Sequence, residues 1–155
     1  MTALLDSAEA LLVDLVGFAS ISCLPNDGIV TYIKSYFESH GIEVHLDAHE
    51  DGERFNLFAS IGPVTDGGIL LSGHLDVVPA NPASWSRDPF VLHRENGRLY
   101  GRGAVDMKGF LAIVLAMAPV FQEATTDLVV PIHFAFRRSV NNPPRTATGQ
   151  FSVGT

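Results

Sequence analysis

A histidine and an aspartate stand two residues apart in SGHLDVVPA, as His74 and Asp76, where the apolar run GILLS comes to an end. In extended backbone, residues i and i+2 point to the same side, so the imidazole and the carboxylate can converge on one point. Imidazole is a good zinc ligand, and a neighbouring carboxylate fixes its tautomer and raises its basicity. The plainer reading is a hydrogen-bonded loop start, because strands commonly close on polar turn formers. A second cluster, LYGRGAVDMKG, sets Asp106 among three glycines immediately before a long apolar segment. Glycines permit tight backbone and close approach, which a turn presenting a metal-bound carboxylate would use. Here the plainer reading is that Asp106 caps the following helix, a role worth about 1 kcal/mol. One imidazole and two carboxylates together suit zinc, cobalt or manganese.

These residues need elements to position them. Leu4, Leu5, Ala8, Leu11, Leu12, Leu15, Val16 and Ala19 recur at steps of three and four, which predicts an amphipathic helix. A second helix is expected over Gly28 to His40, stopped by Gly41. Strands are expected at Ile42–Leu46, Phe55–Ile61 and Ile69–Ser72, separated by turn-rich segments. From His74 to Gly103, prolines, glycines and asparagines predict loop with a short strand or two. DMKGFLAIVLAMAPVFQE then reads as a helix, and LVVPIHFAF as a central strand buried on both faces. Helices alternating with buried strands predict an α/β fold, a three-layer sandwich around a largely parallel mixed sheet. Ligands of such sheets bind beyond the carboxyl ends of the strands, where His74 and Asp76 fall.

Composition narrows the partners. A chain of 155 residues is one domain's worth, and 17 acidic against 10 basic residues give a net charge of −7. That balance disfavours nucleic acid and anionic membrane and leaves a small molecule or a metal. The longest uncharged run, Gly109 to Gln122, has 14 residues, short of the roughly 20 that cross a bilayer. Cys23 is the one cysteine, and no basic residue precedes Lys34, so a reducing, cytoplasmic setting without a presequence is expected.

The segments SGHLDVVPA, WSRDPF and GRLYGRGAVDMKGFLA, in this order and spacing, resemble the zinc-dependent aminoacylase and carboxypeptidase superfamily, and within it most closely the acetylornithine deacetylase branch. The likeness extends over about Leu4 to Phe136. It implies the N-terminal part of a zinc exopeptidase-like catalytic domain that hydrolyses the N-acyl bond of an amino acid. Carried over by position, His74 is implied as ligand of one metal ion, Asp106 as the carboxylate bridging two Zn2+ ions, with Co2+ an alternative, and Asp76 as the catalytic residue that orients His74. Two adjacent cations acidify a shared water and polarise an amide carbonyl. The resemblance further implies a non-proline cis peptide at Asp106–Met107, an acidic pair after the next central strand supplying base and ligand, and an inserted lid and dimerisation domain.

The chain departs from that pattern. After PIHFAF, where the resemblance implies acidic residues, it reads RRSVNNPPRTATGQFSVGT, and no Asp or Glu follows Asp127. The expected organisation is therefore a partial metallohydrolase domain over 1–136 and an aberrant, disordered tail over 137–155, from a shifted frame or a truncated gene, without the lid and dimer domain. Other candidates have ordinary readings. His45 and His49 show helical zinc spacing but lie in a strand running into an acidic turn. His40, His93 and His133 are expected at a helix end, a loop or strand, and a buried strand; Cys23 as a core or loop thiol. Trp85 and Phe90 are expected to pack the long loop on the sheet, and Arg102 to form a surface ion pair.

Overall fold

The protein is described by a computed structural model covering residues 2–22, 24–50 and 52–138. Two helices come first, α1 over Thr2–Gly17 and α2 over Asp27–Ser39, each an amphipathic segment with its apolar stripe turned inward. Leu11, Leu12, Leu15 and Val16 of α1 and Ile29, Val30, Ile33 and Phe37 of α2 are buried. Gly41 follows the end of α2 at φ 73°, the left-handed position that stops a helix cheaply only when it is glycine. The strands β1 (Val44–Ala48), β2 (Phe55–Ile61) and β3 (Ile69–His74) follow. A small hairpin, β4 (His93–Glu95) and β5 (Arg98–Tyr100), interrupts the long loop. The described residues close with α3 (Gly109–Glu123) and β6 (Ile132–Arg137).

The main sheet has the order β1-β2-β6-β3. It is mixed, as expected of this α/β chain, with β3 parallel to β6 and the other two pairings antiparallel. The parallel share is smaller than expected because β1 and β2 are joined by a short turn and so must run in opposite directions. Leu57, Ala59 and Ile61 of β2 and Ile132, Phe134 and Phe136 of β6 are buried on one face. Phe37 of α2 meets Phe134 and Phe136 there, with ring centroids 5.2 and 6.1 Å apart. A Cβ on Gly73 would come within 2.9 Å of the Leu111 side chain, so α3 lies directly over β3 on that same face. Each large apolar side chain so buried contributes about 1.5–3 kcal/mol. Among the described residues the helices cover this face alone. Its opposite, with Phe58, Ser60, His133 and Leu70, carries no helix among the described residues.

Element boundaries move where backbone chemistry overrides hydropathy. β1 begins two residues later than expected, and β3 extends to His74. Val129 and Val130 are exposed and precede the strand, since Pro131 offers no N–H to the ladder and β6 starts after it. β6 also continues one residue past Phe136, so Arg137 is paired structure and not tail; residues 139–155 and Cys23 lie outside the described residues. Ala104–Glu123 is long and apolar enough to cross a membrane by length and composition. Its buried residues Leu111, Ala112, Val114, Leu115, Ala116 and Ala118 instead join the common core, as a core helix would.

Candidate metal site

β3 ends at its carboxyl edge with His74, whose ladder partner is Arg137; the Leu75 N–H then donates to the Arg137 carbonyl at 2.8 Å. Leu75 is fully buried, which anchors the chain as it leaves the sheet. His74 Nδ1 lies 2.8 Å from the Asp76 main-chain oxygen, and Nε2 lies 3.0 Å from Asp106 Oδ1. A carbonyl oxygen only accepts, so Nδ1 carries a proton and donates it. Nε2 is thereby directed at Asp106, to share with it a proton or a cation.

Asp106 reaches that point through an unusual turn. Residues 104–108 form one wide turn whose helical geometry breaks at Asp106 and Met107, and the Asp106–Met107 peptide is cis, as the resemblance implied. The expected helix start at Asp106 is displaced to Gly109 by this break. Asp106 makes no capping bond to α3, and its carboxylate is 85% exposed, facing His74. Gly103 opens the turn at φ 77°, and a Cβ there would stand 2.4 Å from a Val77 methyl. Only glycine lets this turn close against the strand exit, which brings Asp106 over His74. The Met107 sulfur accepts the His74 N–H at 3.3 Å and fixes the turn from the other side.

Asp76 is nearly buried. Its carboxylate stands 3.7 Å from His74 Nδ1, so the hydrogen bond that aligns the ring comes from the Asp76 main chain. The carboxylate itself accepts from Ser22 Oγ at 2.5 Å. Lys108 is completely buried, and its ammonium donates to the Phe18 carbonyl at 2.6 Å. Burial pushes its pKa down from 10.5 to about 8. Neither Ser22 nor Lys108 was singled out in the sequence. The doublet SIS is a faint loop signal, and a lysine at a helix entrance is ordinarily solvated.

These groups line a pocket of about 290 Å³ with Ser22, His74, Asp76, Arg102 and Asp106 on its wall. The Arg102 guanidinium lies 5.2 Å over the Trp85 ring, in place of the expected ion pair. The other histidines stand apart. His45 is exposed on β1, and His49 lies 3.3 Å from Arg54 Nη2. His40 ends α2 with Nδ1 2.8 Å from the Tyr36 carbonyl, and His93 lies 3.0 Å from Arg87. His133 was expected to be buried, but its side chain faces the uncovered side of the sheet and bonds to Ser60 at 2.7 Å. An imidazole nitrogen and a carboxylate oxygen 3.0 Å apart can contact one borderline cation, so the donor chemistry fits zinc or cobalt. No cluster of three or more metal-ligating side chains occurs among the described residues. Where the resemblance implies an acidic pair, β6 ends in Arg137 and is followed by Arg138.

Residues 70–138 match the model of Peptidase family M20/M25/M40. Acetylornithine deacetylase of Shigella sonnei (strain Ss046) is 42% identical over 91 residues, which is 58% of this chain and 24% of that protein. The chain thus spans about a quarter of the length of such curated relatives. Among solved structures, the M20 family metallo-carboxypeptidase Sso-CP2 from Sulfolobus solfataricus has a TM-score of 0.73 at 27% identity, over 85% of this chain and 30% of that one. Human carnosine dipeptidase 1 has a TM-score of 0.70 at 26% identity, over 85% of this chain and 31% of that one. The chain resembles acetylornithine deacetylase in sequence and M20 metallohydrolases in fold.

Proposed function

We propose that this chain carries the metal-binding wall of a zinc-dependent hydrolase that cleaves the N-acyl bond of an amino acid, with N-acetylornithine the favoured substrate. The observation that carries the reading is the 3.0 Å approach of His74 Nε2 to Asp106 Oδ1 at the carboxyl edge of β3. The identity to named acetylornithine deacetylases supports the substrate class, and a dipeptide or another N-acyl amino acid is the alternative that the same motifs admit.

In this reading His74 offers Nε2 to one cation, its ring held by the Nδ1 bond to the Asp76 carbonyl. Asp106 offers two carboxylate oxygens from a turn that keeps them exposed to the pocket. Asp76 lies behind the ring as a buried carboxylate and gives the imidazole a negative neighbour, which strengthens its lone pair at Nε2. A bound zinc or cobalt ion supplies Lewis acidity and lowers the pKa of water. A second ion and the general base require donors beyond those the described residues bring together.

A second reading is favoured by Arg137. It occupies the strand end beside His74, and no Asp or Glu stands after Asp127 in the 155 residues. Under that reading the chain by itself binds a divalent ion without turnover. One experiment separates the two: assay the zinc- or cobalt-loaded chain against N-acetylornithine, other N-acetyl amino acids and dipeptides, beside His74→Ala at equal metal. Turnover lost in the variant supports the hydrolase. Metal uptake lost in the variant, with no turnover in either, supports the second reading. Equal metal uptake by both chains would defeat the site itself.

A further inference from the structure

The exit of α1 runs as a short strap beside the carboxyl end of β3. The Ser22 N–H donates to the Val77 carbonyl at 2.9 Å, and the Val77 N–H donates to the Ser20 carbonyl at 2.8 Å. The Ser20 hydroxyl donates to the Leu75 carbonyl at 2.7 Å. These bonds fix the backbone on both sides of Asp76. The Ser22 hydroxyl then reaches Asp76 Oδ2 at 2.5 Å, with the Val77 carbonyl 3.3 Å away as a weaker alternative acceptor. A hydrogen bond to an ionised acceptor is short and about twice as strong as a neutral one. The other carboxylate oxygen, Oδ1, is 3.7 Å from His74 Nδ1, just beyond hydrogen-bond reach.

We infer that Ser22 is a positioning residue: its hydroxyl holds the Asp76 carboxylate off the His74 ring, so that Nδ1 bonds the Asp76 carbonyl and Nε2 is aimed at Asp106. Without the hydroxyl, the buried carboxylate turns toward the nearby donor, the His74 Nδ1–H. The ring then rotates with it, and Nε2 leaves its line to Asp106. Threonine keeps the hydroxyl and preserves the arrangement; alanine does not. The inference deepens the metal reading and rests on it for one of its two tests.

The first test titrates Co2+ into the full chain by calorimetry, comparing wild type, Ser22→Ala and Ser22→Thr. Ser22→Ala is expected to weaken Co2+ binding about 10-fold, the lower end of what losing a ligand-orienting group costs, and Ser22→Thr to stay within about 3-fold of wild type. Wild-type affinity in Ser22→Ala overturns the inference. So does Ser22→Thr as weak as Ser22→Ala, since the hydroxyl would then not be the cause. The second test needs no metal: water exchange of the His74 Nδ1 proton, followed by NMR in the metal-free chain. It should slow in Ser22→Ala, where the proton passes from the Asp76 carbonyl to a charge-assisted bond with the carboxylate, and return to the wild-type rate in Ser22→Thr. Failure of wild type to take up Co2+ removes the metal reading alone, and the exchange measurement then decides, with an unchanged rate in Ser22→Ala overturning the role of Ser22.

Discussion

The helix-covered face of the sheet and its carboxyl rim are built by different physics. On the face, Phe37, Phe134, Phe136, Leu57 and Leu115 are wholly buried and meet as apolar surfaces without a directional bond. At the rim, position is set by hydrogen bonds between residues far apart in sequence: Ser22 to Asp76, Lys108 to Phe18, His74 to Asp106. Burial is forgiving of orientation and costly to lose. Directional bonds contribute little net free energy each, about 1 kcal/mol, and lose their effect with small changes of angle. The face therefore carries the stability of the domain, and the rim carries the geometry on which chemistry depends.

Substitutions can break this division at several points. The largest effect expected is from Phe134→Ala, which opens a cavity beside Phe37 and should lower unfolding free energy by about 3–5 kcal/mol in urea titration. Gly103→Ala comes next, because it sets a side chain at φ 77° and within 2.4 Å of Val77. Strain and overlap together should cost about 2–4 kcal/mol and also weaken Co2+ uptake, so a rim residue would here behave like a core one. Lys108 adds a pH-dependent part. Its ammonium releases its proton near pH 8 when folded and near 10.5 when unfolded. Between these values the unfolded chain binds more protons, so stability rises with pH. The rise, about 3 kcal/mol, should be absent from the curve of metal-free Lys108→Met. The smallest change in stability is expected from His74→Ala, about 1 kcal/mol or less, since Asp106 stays solvated. Co2+ binding should nevertheless vanish in calorimetry. A large loss of stability in His74→Ala would erase the distinction between face and rim.

Much of the face was legible in the sequence, because burial leaves a periodic trace. The steps of three and four in α1 located Leu11 and Leu15, the second helix was expected close to where α2 lies, and Phe55–Ile61 was bounded correctly as a strand. The one-sided cover of the sheet was not legible, since β6 reads as apolar throughout while His133 faces the open side. At the rim, His74, Asp76 and Asp106 stood out by type and by glycine context, and the structure brings them together. Ser22 did not stand out, because its partner is 54 residues away and a lone loop hydroxyl has no periodicity. Lys108 escaped for a related reason: hydropathy assigns a lysine to water, and only the carbonyl of Phe18 makes its burial tolerable.

The five residues from Phe18 to Ser22 receive Lys108 at one end and Leu75, Asp76 and Val77 at the other. Both halves of the rim are therefore referred to one short piece of backbone. In the language of motion, they share a frame. While the strap stays closed, Lys108 and Asp76 are held to the same backbone, and His74 stays with the sheet through its pairing to Arg137. Local opening of the strap has the opposite result, releasing both halves at once and making the pair a single cooperative unit whose persistence is set by α1, the element of the chain farthest from it in sequence.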